Sequence, residues 1–200
     1  MIELWLVSLD RSPARQSVLS ADERERAERY RSTAARERFV VTRAALREIV
    51  GRYVGSPPEQ LRFSYPCACG RADCEPSQRK PRLDLETSLR FNVSHSDGLA
   101  AIAVTRGREL GVDVERVRPE IAIEPIATHA LGPLPDDEGL DAFYRAWTRR
   151  EAHAKARGDG LAPPDDRASW WFSDLVPAPG YRGALAVAGG ACELRTRWWP

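Results

Sequence analysis

The chain has almost no lysine: 28 of its 30 basic residues are arginine, and only Lys80 and Lys155 are lysine. It also lacks a strong charge of either sign, because the formal net charge is +1, which argues against a general nucleic-acid binder. No apolar run approaches the roughly 18 residues that a membrane-spanning helix needs. The N-terminus has no basic stretch and places Glu3 inside its apolar run, so we expect no signal peptide and a cytoplasmic protein with reduced cysteines.

What the sequence does contain is typical of a globular fold. It has 200 residues, of which 42% are apolar and 30% charged. Ser20 and Glu23 form a capping-box pattern that predicts a helical stretch to about residue 53, with a break at Ser32 and Thr33. A second helix is predicted over residues 137–157. Strands and helices occur in clusters and do not alternate strictly, so the predicted fold class is α+β.

Residues 111–115 (GVDVE) are the first segment that suggests chemistry. On a strand, Asp113 and Glu115 share one face while Val112 and Val114 face the core. Two carboxylates so placed can converge on a hard cation, and Mg²⁺ prefers such oxygen ligands. The alternative at this point is an edge strand with an acidic, solvated face.

Residues 147–155 (WTRREAHAK) are the second segment. In a helix, Trp147, Glu151 and Lys155 lie on one face, and Glu151 would add a third carboxylate to Asp113 and Glu115. The alternative is an ordinary helix-surface pair between Glu151 and Lys155. A lysine kept in so arginine-rich a chain is suited to a phosphate oxygen or a proton transfer.

Residues 91–96 (FNVSHS) are the third segment, with His95 at the end of a predicted strand. Histidine there can donate to phosphate or act as a general base. Ser94 beside His95 does not indicate a hydrolase, because neighbouring residues on a strand face opposite ways and the chain has no G-x-S-x-G motif.

Together with residues 78–81 (QRKP), these segments resemble, in order and spacing, the motif series of the Sfp-type 4′-phosphopantetheinyl transferases. The similarity extends in outline from about residue 20 to residue 161. Both lysines fall inside its motifs.

The resemblance implies a fold and a reaction. The fold would be an α+β pseudodimer of two similar halves, residues 1–105 on the nucleotide side and 106–200 with the catalytic helix, and the active site would lie in the cleft between them. The enzyme would transfer 4′-phosphopantetheine from coenzyme A to a serine hydroxyl of an acyl or peptidyl carrier protein of polyketide or nonribosomal peptide biosynthesis. It would need Mg²⁺, release 3′,5′-ADP and work as a monomer, with neither nucleic acid nor membrane as a partner.

The resemblance also implies roles for individual residues. The catalytic residues would be Glu151, which takes the serine proton directly or through water, and Lys155, which contacts the pyrophosphate. The Mg²⁺ ligands would be Asp113, Glu115 and Glu151. The residues that bind coenzyme A would be Arg26, Arg43, Lys80, Pro81, Asn92, Ser94, His95 and Lys155.

Two departures from the family pattern leave alternatives open. Arg79 stands where the family usually has glycine, which motivates an alternative: a catalytically inactive paralogue that binds coenzyme A or a carrier protein. Cys67, Cys69 and Cys74 form an irregular cluster that could bind zinc with a fourth ligand, as in a small interaction protein, although the C-x-C spacing is not the usual one.

Overall fold

A computed structural model describes residues 1–66, 80–120, 139–158 and 169–200. In chain order the described helices are α1 (Ala21–Glu28), α2 (Thr33–Val54) and α3 (Gly139–Arg157). The described strands are β1 (Ile2–Ser8), β2 (Phe63–Ser64), β3 (Arg82–Leu83), β4 (Leu89–Ser96), β5 (Leu99–Arg106), β6 (Leu110–Arg116), β7 (Trp170–Leu175), β8 (Tyr181–Ala188) and β9 (Leu194–Trp198).

The first large sheet has the strand order β4-β5-β1-β9. Strand β5 pairs antiparallel with both β4 and β1, whereas β9 pairs parallel with β1, so that Ile2 lies opposite Leu194. The sheet therefore takes its outer strand from the far end of the chain. The predicted division into residues 1–105 and 106–200 stays a prediction. Strand β9 belongs to the second of these ranges but pairs within the sheet formed by strands of the first.

The second large sheet has the order β6-β8-β7 and is antiparallel throughout. Its two faces differ in side-chain size. On one face, Val112, Val114 and Leu185 pack against the first sheet through Ile2 and Leu4. The other face carries alanines on β8, and these pack against alanines of α3, so the helix backbone lies close to the strands.

The main elements are thus layered as α2, first sheet, second sheet and α3. Helix α2 covers the outer face of the first sheet, where Leu46 and Ile49 pack with Phe91 and Ile102. The predicted α+β class is confirmed. No helix in the described ranges is long and apolar enough to cross a bilayer.

A buried ionic cluster joins α1 to α2. The predicted capping box is present, with Glu23 accepting from the Ser20 backbone N–H and Ser20 accepting from that of Glu23. The predicted break is present as well, because α2 begins at Thr33 with Ser32 as its N-cap. The Glu23 carboxylate also accepts from Arg43 Nε at 2.7 Å and from Arg47 Nε at 2.5 Å, so it holds both helices.

This cluster has a consequence for the pKa of Glu23. Burial alone raises that pKa, but the charges and hydrogen bonds of Arg43 and Arg47 outweigh it and lower the pKa below its ordinary value of 4.5. Ionised Glu23 therefore stabilises the folded chain. That contribution is complete above the ordinary pKa and is lost as pH falls through the lower folded-state pKa.

We expect Glu23→Gln to lower the free energy of unfolding at neutral pH by about 3 kcal/mol, because two buried guanidinium groups lose their counter-charge. Urea denaturation over a pH series measures this. The difference in unfolding free energy between the parent chain and the variant should narrow as pH falls below the ordinary glutamate pKa of 4.5 and through the lower folded-state pKa of Glu23. Glu25→Gln, which removes only an exposed pair with Arg29, is the control and should stay within about 0.5 kcal/mol. An equal loss in both variants would contradict the role of Glu23.

Candidate active site

Polar side chains on β4 join the two large sheets at their edges. Asn92, Ser94 and Ser96 lie on one face of β4, since alternate residues of a strand share a face. Asn92 Oδ1 accepts from the Val112 N–H at 2.9 Å. Ser94 Oγ accepts from the Val114 N–H at 3.4 Å, and Ser96 Oγ accepts from the Arg116 N–H at 3.1 Å. We call this row of contacts the β4–β6 seam. It places the serine and carboxylate side chains of the two strands side by side.

Asp113 lies at the centre of the seam and is only 2% exposed. Its Oδ1 accepts from Ser94 Oγ at 2.9 Å and from Lys155 Nζ at 2.5 Å, and Lys155 also donates to Ser94 at 2.9 Å. Its Oδ2 is buried and has no hydrogen-bond partner among the described residues. A buried carboxylate oxygen without a partner is costly, and a bound cation would satisfy it.

Glu115 and Glu151 complete a set of three carboxylates with Asp113. Ser96 Oγ donates to Glu115 at 2.8 Å. Burial and the negative charge of Asp113 raise the pKa of Glu151. Burial also raises the pKa of Glu115, with Asp113 and Glu151 contributing repulsion. The three carboxylates therefore repel one another electrostatically.

Helix α3 reaches this set because Gly111 lets it approach β6. A Cβ placed on Gly111 would lie 2.0 Å from the Ala152 carbonyl oxygen and 2.4 Å from Ala156 N, so the backbones nearly touch. Glu151 and Lys155 flank that contact, one helical turn apart. Gly111 thus sets the distance between the carboxylate of Asp113 and the side chains of α3.

Two positive side chains, those of Arg26 and Lys155, lie within electrostatic reach of His95. His95 is exposed at the end of β4. Desolvation by the surrounding protein, followed by the positive charges of Lys155 and Arg26, lowers the pKa of its imidazole. Arg26 also stacks over the Phe39 ring, with its guanidinium carbon 5.2 Å from the ring centre. Arg26 and Lys155 therefore form a cationic edge next to the seam, and His95, whose pKa lies below its ordinary value of 6.5, adds an uncharged imidazole to it at neutral pH.

The other residues expected to bind coenzyme A have partners of their own in the protein. Asn92 and Ser94 are buried in the seam. Arg43 is bound to Glu23 and to the Tyr65 hydroxyl, the latter at 2.7 Å. Pro81 is buried, and Lys80 beside it is bound to β6 and α3. Their roles toward the coenzyme stay predictions.

The carboxylate set is suited to a hard cation by its chemistry. Its donors are all oxygens, and the orphaned Asp113 Oδ2 belongs to it. As the side chains stand, no three His, Cys, Asp or Glu groups within the described ranges are close enough together to hold a metal ion. The ammonium of Lys155 is the positive charge that contacts Asp113. The metal assignment stays a prediction.

Comparison with known proteins places the chain among its relatives. A family model described as the 4′-phosphopantetheinyl transferase superfamily matches residues 109–177, which include β6 and α3. The 4′-phosphopantetheinyl transferase HetI of Nostoc sp. is 34% identical, with 94% of this chain and 88% of HetI aligned. The chain belongs to the 4′-phosphopantetheinyl transferase superfamily. The prediction that it is an enzyme of this class is thereby confirmed.

Two further transferases are similar over smaller shares. AcpT of Escherichia coli K12 is 36% identical over 40% of this chain and 46% of its own length. The Bacillus subtilis transferase ffp is 26% identical over 75% of this chain and 65% of its own. Membership of the Sfp-type group within the superfamily stays a prediction.

Sequence reasoning missed several residues that build the site of this superfamily member. Ser96 received no role in the sequence analysis, although the spacing of Asn92, Ser94 and Ser96 puts three polar groups on one strand face. Glu109 carried no motif signal, yet it binds Lys80. His153 lies edge-on to Trp170 and Phe172, so it packs between α3 and β7. Arg79 and the cysteines at 67, 69 and 74 lie outside the described residues.

The close approach at Gly111 leads to a test in the transferase. We expect Gly111→Ala to lower the free energy of unfolding by about 3 kcal/mol, because the added methyl group meets backbone atoms of α3 that cannot move independently. Thermal and urea denaturation measure the loss.

Gly190→Ala is the matched control, since a Cβ there meets nothing within 4 Å. It should change stability by no more than about 0.5 kcal/mol. If the two variants were equally stable, α3 would not lie against β6 at this glycine.

Proposed function

We propose that this chain transfers the 4′-phosphopantetheine group from coenzyme A to a serine hydroxyl of an acyl or peptidyl carrier protein, with release of 3′,5′-ADP. The observation that carries the proposal is the meeting of two sets of charges along the β4–β6 seam. Asp113, Glu115 and Glu151 form the acidic set, and the cationic edge of Arg26 and Lys155, together with the imidazole of His95, borders it. The acidic set would bind a metal ion, and the cationic edge would bind the oxygens of a pyrophosphate.

Mg²⁺ is the metal ion proposed for this site. Asp113, Glu115 and Glu151 would hold it, and the partnerless Asp113 Oδ2 supports the assignment. When bound, the ion would supply positive charge that neutralises the pyrophosphate oxygens. Lys155 would then leave part of its contact with Asp113 and donate to the coenzyme.

The chain's own residues supply the remaining chemistry. Arg26 and His95 would bind phosphate oxygens of the coenzyme, and Lys155 would stabilise negative charge on the leaving phosphate oxygen. Glu151 would accept the serine proton, directly or through water. Burial and Asp113 raise the pKa of Glu151 where no cation is bound, and a bound Mg²⁺ would oppose that shift.

The bond changes balance without a further reactant. The serine oxygen forms a bond to the phosphorus that carries pantetheine, and the bond from that phosphorus to the bridging oxygen of the pyrophosphate breaks. The electron pair of the broken bond leaves on 3′,5′-ADP. The proton of the serine passes to Glu151.

We place the chain in the Sfp-type group on the strength of its four ordered motifs. The two large sheets would then represent the two halves of a pseudodimer, and a monomer would contain a complete site. Carrier proteins of this class are typically acidic, so arginines of the N-terminal half would favour their approach, with rates that fall as salt rises.

Intact-mass spectrometry tests the reaction. An apo carrier protein incubated with this chain, coenzyme A and Mg²⁺ should gain the mass of one phosphopantetheine group, and EDTA should prevent the gain. If several carriers gained nothing while calorimetry still detected coenzyme A binding, the transfer would be refuted in favour of a binding protein without turnover.

Conservative variants test the carboxylate set. Asp113→Asn and Glu151→Gln should each slow the transfer by about a hundredfold or more, because each removes a charge where the reacting phosphate is held. Asp174→Asn is the control, since this exposed carboxylate only pairs with Arg149 on the helix surface. Circular dichroism checks that each variant is folded. Full activity in either site variant would exclude that carboxylate from the reaction.

A further inference from the structure

Lys80 lies at the junction of β6 and α3, and its ammonium is fully engaged there. Its side chain is 6% exposed. Its Nζ donates to Glu109 Oε2 at 2.8 Å, to the Leu110 carbonyl oxygen at 2.8 Å and to the Ala156 carbonyl oxygen at 3.2 Å. Leu110 begins β6, and Ala156 lies in the last turn of α3.

These contacts use the full hydrogen-bonding capacity of the group. A lysine ammonium has three N–H donors, and three acceptors within the protein match them. A coenzyme phosphate could bind Lys80 only by displacing one of these acceptors inside a buried pocket. The geometry is that of an internal link between β6 and α3.

Lys80 donates to the C-terminal end of α3, where the helix has carbonyl groups without partners of their own. The last four carbonyl groups of a helix have no partner within the helix, and the C-terminal end carries partial negative charge. Lys80 satisfies the Ala156 carbonyl, next to Lys155 in the chain and little more than one turn after Glu151. It therefore fixes the part of α3 that presents both side chains to the seam.

Glu109 holds Lys80 at this place. One of its carboxylate oxygens accepts from Lys80, and the other accepts from Arg90 Nε at 2.8 Å. Burial alone raises the pKa of Glu109, but Lys80 and Arg90 outweigh it and lower that pKa. Glu109 also directly precedes Leu110, so the ionic contact and the backbone contact reinforce each other.

We infer that Lys80 and Glu109 are positioning residues for the transfer: they link β6 to the last turn of α3 and so hold Glu151 and Lys155 against Asp113. The inference rests on the proposed function, and it assigns Lys80 a different role from the direct coenzyme contact that the family resemblance implies. Neither residue contacts the reacting atoms in this role. Both act through α3.

The test compares Lys80→Met and Glu109→Gln, alone and combined, in steady-state transfer to a carrier protein. We expect each to lower kcat by about ten- to a hundredfold, because small displacements of catalytic groups have effects of this size. The KM for coenzyme A should change by less than about twofold, since binding energy is not removed. The double variant should be no slower than the slower single variant, because both changes break one link.

Glu86→Gln is the matched control. Glu86 is exposed and lines the same cavity of about 240 Å³ as Lys80 and Glu109, but belongs to neither contact set. It should leave kcat and KM unchanged. A raised KM for coenzyme A in Lys80→Met with kcat retained, and no effect of Glu109→Gln, would overturn the inference and make Lys80 a coenzyme ligand.

A second measurement is independent of the reaction. Hydrogen–deuterium exchange of the backbone amides of residues 152–158 should be faster in both variants than in the parent chain, because the last turn of α3 loses its anchor. If exchange of these amides were the same in the variants as in the parent chain, Lys80 would not anchor the last turn of α3, whatever the effect of the variants on transfer. If the parent chain showed no transfer at all, the proposed function would fail while exchange still decided the link. Glu109→Gln keeps the test open should Lys80→Met not fold.

Discussion

The site depends on the β4–β6 seam, in which side chains, and not backbone hydrogen bonds between strands, join the edges of the two large sheets. Strands β4 and β6 each end a sheet and would leave unpaired backbone groups at the boundary. Side chains of Asn92, Ser94 and Ser96 take the place of a neighbouring strand and accept N–H groups of β6. Because these contacts repeat every second residue, they fix the register of one sheet against the other. The same register places Ser94 beside Asp113.

The charge distribution follows from this register. The seam gathers carboxylates in a partly buried place, where each raises the cost of ionising the next. Lys155 offsets part of that cost by contacting Asp113 directly. Among the residues that the structure describes, Asp113 Oδ2 still has no hydrogen-bond partner. A buried polar atom left without a partner is typical of a site that binds an ion.

Much of this could be predicted from local sequence. The spacing of Asp113 and Glu115 indicated a shared face, and that of Glu151 and Lys155 indicated one helix side, because strand and helix periods are fixed by backbone geometry. The capping box at Ser20 and the end of α3 at Arg157 were predicted for the same reason. These are short-range features.

The features that escaped prediction are long-range. Nothing local to Arg43 or Lys80 indicated that Glu23 or Glu109 would bind them, since each pair is separated by some 20 to 30 residues and is joined only by the fold. Likewise, Gly111 looked like the first residue of a metal motif, although its missing side chain is what admits α3. Pairings and close approaches of this kind depend on topology, which residue periodicity does not encode.

The parallel pairing of β1 with β9 has a consequence for synthesis of the chain. The Ile2 amide donates to the Glu193 carbonyl at 2.8 Å, so the first and last strands are neighbours. Closing a loop of nearly the whole chain carries a large entropic cost and slows folding. The first sheet is therefore incomplete until β9 has been synthesised and has returned to β1, and until then one edge of β1 is open to pairing with another strand.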